Sequence, residues 1–181
     1  MLMRIVKFVG ITILVVPVVS LSVYWFVCFQ PYVHELRKLS LNGTETIKHD
    51  HDRIYRTAVA ADGEKGIRIW SIRSAYYNLS FKDYGKSKLN WHLDNLLWYF
   101  GSYLYFNEQQ VFGIWIECAF NECTNDIENA SRRYFGLELS KLSDDQLAEL
   151  VGSVKAPKIF IPGSERAKER AKIILFKSDS T

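Results

Sequence analysis

The stretch TAVAADGEKGIRIWSIRSAYYNL, Thr57 to Leu79, sets two carboxylates, Asp62 and Glu64, on either side of Gly63 at the end of a small apolar segment. A carboxylate in that setting exchanges a proton with a sugar hydroxyl when it is held within hydrogen-bond reach and partly shielded from water. A solvated acidic turn uses the same residue types. Asp62 is the stronger candidate for a catalytic acid or base because it closes the apolar segment, whereas Glu64 sits in a turn between Gly63 and Gly66. Lys65, Arg68 and Arg73 follow, and cations of that kind hold a nearby carboxylate ionised. Such a neighbourhood suits an ion pair, or the binding of an anionic group, better than proton donation.

His49, Asp50, His51 and Asp52 offer alternating imidazole and carboxylate, a zinc-like donor set on a strand. No further ligand stands at a recognisable spacing, so the segment reads as solvated, and neither a metal nor another cofactor is expected. Cys118 and Cys123 are close enough in sequence to be bridged across a helix end, although on a continuous helix this spacing aims the two thiols apart. Cys28, within an apolar run, reads as an inert filler.

The elements that must position these groups begin after that run. Phe8 to Val33 carries no charge, which exceeds what a bilayer requires. Its exit, VYWFVCFQPYVHELRK, is bulky throughout and offers no small-residue cleavage site, so residues 1–33 read as a cytoplasmic stub and an uncleaved single-pass signal anchor. Arg4 and Lys7 favour a cytoplasmic N-terminus, which places the rest outside the cytoplasm, where disulfides persist. The formal net charge of +3 is too mild to argue for nucleic acid and fits a domain near anionic headgroups.

Residues 34–53 are polar, with a turn signal at Asn42-Gly43, and read as a linker. Residues 54–181 are expected to form one all-α domain. Leu89, Leu93, Leu96, Leu97, Phe100 and Leu104 recur at helical spacing and predict an amphipathic helix facing the core, with a surface that dips into lipid as the other reading. Asn107 with Gln110 and Ser143 with Gln146 form capping boxes, Gly136 closes a short helix, and Ser164 caps a final one. KIFI, between Pro157 and Pro162, is the one strand-like piece.

From VFGIWIECAFNE to its end, the chain resembles the peptidoglycan glycosyltransferases of glycosyltransferase family 51, found in penicillin-binding proteins and monofunctional transglycosylases. The carriers are RRYFG at Arg132 to Gly136, KLSDDQLAELVGSVKAP at Lys141 to Pro157 and ERAKERAKIIL at Glu165 to Leu175. The resemblance implies a lysozyme-like all-α transglycosylase domain, shortened, behind one transmembrane helix in a bacterial cytoplasmic membrane, with the domain on the periplasmic or outer side. It also implies a shared chemistry: a general base takes the proton of a sugar hydroxyl while cations steady the leaving diphosphate of a lipid-linked donor, lipid II.

The family's active-site motifs are altered here. In one register Asp62 stands where the family has its catalytic Glu; in the other, Ala61 does. Arg73 and Ser74 replace a pair of Gln, His92 stands for a Lys, Asn95 for a Glu, Gly113 for the fourth-motif Glu and Glu117 for its Asn. A segment of the family's groove is missing between Gly66 and Ile69. The resemblance thus nominates Asp62 and Glu64 as catalytic candidates and Arg73, His92, Asn95 and Glu117 as substrate-binding ones. Three functions fit: a degenerate domain that binds or scaffolds in cell-wall synthesis, a divergent enzyme acting on lipid II or glycan strands, and a structural partner of other envelope proteins. The first is preferred because the changes touch several independent roles, and a carboxylate withdrawn by about 1 Å already costs on the order of a hundredfold in rate.

Overall fold

The computed structural model describes residues 15–16, 18–81, 88–120, 123 and 126–179. Two compact units divide the chain, Met1–His34 and Glu35–Thr181. In the first, residues 18–24 are helical and lead into a π turn at Trp25–Phe29 and a 3-10 turn at Gln30–Tyr32. Pro31, which has no N–H to give to an α ladder, falls in the 3-10 turn. Among the described residues no helix is long and apolar enough to cross a membrane. Residues 8–14 and Pro17 of the predicted anchor lie outside the described residues.

The second unit is helical, and no strand occurs among its described residues. Its elements are α1 (Val33–Thr46, which begins in the first unit), α2 (His51–Tyr76), α3 (Lys88–Tyr105), α4 (Glu108–Cys118), α5 (Asp126–Phe135), α6 (Asp144–Ser153) and α7 (Glu165–Ser178). The core gathers on α4, where every residue from Val111 to Ala119 is buried. Around it α2 contributes Ile54, Ala58 and Ile67, and α6 contributes Leu147, Leu150 and Val151. α2 also packs on α3, α6 and α7.

The local signals perform as the sequence requires. Asn107 accepts from the Gln110 N–H and Gln110 reaches back to the Asn107 N–H, so α4 starts on a complete capping box. Ser143 and Gln146 do the same for α6, and the Ser164 hydroxyl accepts from the Ala167 N–H to open α7. Gly136, at φ 69°, ends α5 in the left-handed region that glycine tolerates. Ala167, Ala171 and Ile174 face inward as expected.

Four expectations are corrected. The segment expected as a linker holds α1, with Leu36, Ser40 and Ile47 buried nearby. Gly43 is there for a helix crossing rather than for a turn: a Cβ on it would sit 2.7 Å from the Gly113 carbonyl carbon, and a Cβ on Gly113 would sit 2.8 Å from Thr44 Oγ1. Only two glycines let the α1 and α4 backbones come so close. KIFI lies in turns, with the Arg170 guanidinium 4.7 Å over the Phe160 ring, because the flanking prolines withhold ladder donors.

The largest correction concerns α3. Most of its predicted apolar stripe faces solvent: Leu93, Leu96, Phe100 and Leu104 are 51%, 50%, 59% and 76% exposed and Leu97 is half-buried, while Asp94, Trp98 and Ser102 are buried; the Leu89 side chain lies outside what is described. The reason is Arg68, which α2 carries into the interior at 2% exposure. Its guanidinium donates to Ser102 Oγ (3.0 Å), to the Phe106 carbonyl (3.2 Å) and to Glu108 (2.8 Å), and it stacks 4.1 Å over the Tyr103 ring. Tyr76 likewise donates to Asp94 at 2.7 Å. Buried polar groups need these partners more than the leucines need burial.

Cys118 and Cys123 are joined in a disulfide, and Cys28 is free. The helix ends at Cys118, so Cys123, at a φ of 52°, stands outside it and the two thiols are not carried apart on a continuous helix. For the helix crossing, Gly43→Ala or Gly113→Ala is expected to cost about 1–3 kcal/mol, since backbone stands where the methyl must go. A lowered denaturation midpoint at unchanged slope checks it; two unchanged midpoints would rule out close contact between α1 and α4.

Candidate functional site

α2 carries both ends of the candidate site. It is interrupted at Gly63, whose φ of 69° and ψ of 159° are non-helical and open to glycine. On an unbroken helix Tyr55 and Glu64 would lie on opposite faces and about 13.5 Å apart along the axis. With the break, the Tyr55 hydroxyl donates to Glu64 at 3.0 Å. Burial first, and then this bond to a carboxylate, push the Tyr55 phenol up to about 12.

Asp62 takes a different partner. Its side chain is 5% exposed and pairs with Lys155 Nζ at 3.0 Å. Gly66, one turn on, leaves room for that ammonium: a Cβ there would lie 3.1 Å from Lys155 Nζ. Two of the three expected cations are engaged elsewhere, Arg68 in the interior and Arg73 on aromatic rings, and Lys65 is exposed. An open groove of about 610 Å³ borders Asp62, lined also by Val59, Ala61, Gly63 and Phe176.

The other candidates collect at the far end of α2, roughly 15 Å of helix beyond Gly63. There Arg73 lies 4.7 Å over the Trp91 ring and 5.8 Å over that of Trp70. His92 meets Trp91 edge-on at 4.7 Å and is exposed, and the Asn95 amide donates to the Trp91 carbonyl at 2.7 Å. Arg73 and His92 therefore meet one indole, a cation on an aromatic platform beside an exposed imidazole, while Asn95 holds the backbone of the same residue. Glu117 is buried on α4. Gly113 faces Ser40 and Thr44 of α1, so a glutamate side chain at that position has no space.

The arrangement can hold anions at Trp91, but it keeps both acidic candidates occupied. A proton acceptor needs a lone pair aimed at its substrate, and Lys155 and Tyr55 each claim one. Sequence reasoning missed Lys155, Tyr55 and Trp91 as partners. Lys155 stands inside the KLSDDQLAELVGSVKAP stretch just before Pro157, a position that hints at a helix end but at no ion pair.

Comparison with known proteins bears on the C-terminal part. Residues 105–179 match the transglycosylase family. That range runs from the end of α3 through α7 and agrees with the resemblance seen from VFGIWIECAFNE onward. This transglycosylase-like segment contains Glu117 and both bridged cysteines, whereas Asp62, Glu64, Arg73, His92 and Asn95 all precede it. Penicillin-binding protein 1B of Vibrio cholerae serotype O1 (strain ATCC 39315 / El Tor Inaba N16961) is 52% identical over 48 residues, covering 25% of this chain and 6% of that protein. No solved structure matches the chain.

Two outcomes follow from the acidic pole. Because folding raises the Tyr55 value, the stabilisation it carries is whole below pH 10 and is lost as pH climbs towards about 12. Tyr55→Phe is expected to flatten that part of the alkaline stability profile; an unchanged profile would mean that Tyr55 titrates as a free phenol. Asp62→Asn leaves Lys155, 38% exposed, without its partner, and is expected to cost about 1–2 kcal/mol after solvent screening while the fold survives. Urea unfolding measures this, and a neutral result would make the pair dispensable.

Proposed function

We propose that the chain is a transglycosylase-like module of bacterial cell-wall synthesis that binds lipid-linked glycan, or a protein working on it, without polymerising it. The observation that carries this reading is the Asp62–Lys155 ion pair: the carboxylate that inherits the family's base position in one of the two registers, and for which Ala61 stands in the other, is withdrawn from solvent onto a lysine. The loss of space at Gly113 for a second acidic side chain supports it. The uncharged run from Phe8 to Val33 would tether the module to the cytoplasmic membrane, with the helical unit on its outer side. Arg73, His92 and Asn95 would then take the diphosphate of lipid II, since a guanidinium backed by indole is a ready anion site.

The open groove beside Asp62 favours one rival, a divergent enzyme in which substrate displaces Lys155 and frees the aspartate. The detergent-solubilised full chain incubated with labelled lipid II separates the two. Saturable binding without polymer is expected, weakened about tenfold by Arg73→Gln, in line with loss of a charge-assisted contact. Polymer formation abolished by Asp62→Asn would establish the enzyme instead.

A further inference from the structure

We infer that the outward face of α3 is a docking surface for a lipid bilayer. Leu93, Leu96, Phe100 and Leu104 fall within about 80° of one another on the helical wheel and extend over about 16 Å of helix. Tyr103, 47% exposed, continues the same face. Between Trp91 and Asn107 the only charged residue is Asp94, and it is buried with Tyr76. From Trp91 onward the exposed surface of the helix therefore offers hydrocarbon with no formal charge.

Several observations select lipid as the occupant. A stripe of this size left in water is costly and is normally covered. A protein partner would be met by a polar rim that forms hydrogen bonds, whereas a bilayer asks only for apolar side chains on a helix whose backbone is already satisfied. The flanks have interfacial character: the hydroxyls of Tyr99 and Tyr103 bond each other at 2.8 Å, and Arg73 lies over Trp91 near the start of the helix. Amphipathic rings and an arginine at the edge of an apolar patch match the headgroup level, where the cation meets lipid phosphate. The same chain also carries the uncharged Phe8–Val33 run, which keeps lipid at high local concentration. The inference rests on the tether proposed above but not on the loss of catalysis.

The face is fixed in place by the interior. Ser102 and the Phe106 carbonyl are committed to Arg68, so α3 cannot roll its leucines inward without stranding that guanidinium. The exposure is built in.

The test uses the full chain with Cys28→Ser, reconstituted into phosphatidylcholine and phosphatidylglycerol vesicles with the disulfide oxidised. Nitroxide labels are placed at Phe100→Cys or Leu104→Cys, and at Glu169→Cys on the exposed side of α7 as a reference. At 100 and 104 molecular oxygen should relax the label more than a water-soluble nickel chelate does, with a ratio several-fold above that at 169. Leu96→Asp should lower the ratio at 100 while the protein still floats with the vesicles. Flotation with nickel-accessible labels at 100 and 104 overturns the docking face alone, and spin–spin broadening between copies reassigns it to a second molecule. A chain that does not float overturns the tether and this inference together.

Discussion

The buried guanidinium of Arg68 is the constraint on which the second unit turns. A cation at 2% exposure survives only if the fold brings acceptors to it, and three come from one stretch: Ser102, the Phe106 carbonyl and Glu108. These span the end of α3 and the start of α4, so the Arg68 cluster joins α2 to the joint between the two helices. α3 is thereby clamped with its polar face inward. Its Nε finds no protein partner among the described residues, so the site is held by the terminal nitrogens and by the Tyr103 ring. The outward leucines are the consequence of this inward chemistry.

The same economy governs Gly113, Asp62 and Glu64. Gly113 serves as half of a glycine-to-glycine crossing that seats α1 on the central helix. Asp62 closes an ion pair that ties the break in α2 to the chain after α6, and Glu64 fixes the other side of that break through Tyr55. Each group has become a structural joint. On the reading proposed above, a carboxylate that steadies its own fold is poorly placed to move a proton, because every hydrogen bond it makes in the resting state must be exchanged in the reaction.

Function, on this reading, moves away from the acidic pole of α2 towards its other end. Arg73, His92 and Asn95 converge on Trp91, and the apolar face of α3 begins within the same turn, at Leu93. A cation beside exposed hydrocarbon complements a lipid whose headgroup is an anion. The family match, over residues 105–179, lies almost wholly C-terminal to these groups.

By itself the sequence determined the local features. The capping boxes at Asn107 and Ser143, the Ser164 cap and the glycine stop at 136 depend on contacts within four residues, and all were legible in advance. So was the all-helical class, which follows from a 3.6-residue period, and the resemblance of the C-terminal part to transglycosylases. The tertiary structure alone decided which face of α3 is inside, why Gly43 and Gly113 are glycines, and which cation Asp62 would meet. Arg68 and Ser102 are 34 residues apart, and nothing in a hydrophobic pattern says that a charged residue will be buried and will claim the polar side of a distant helix. Periodicity reports that a helix has two faces; the hydrogen-bond demands of a buried cation choose between them.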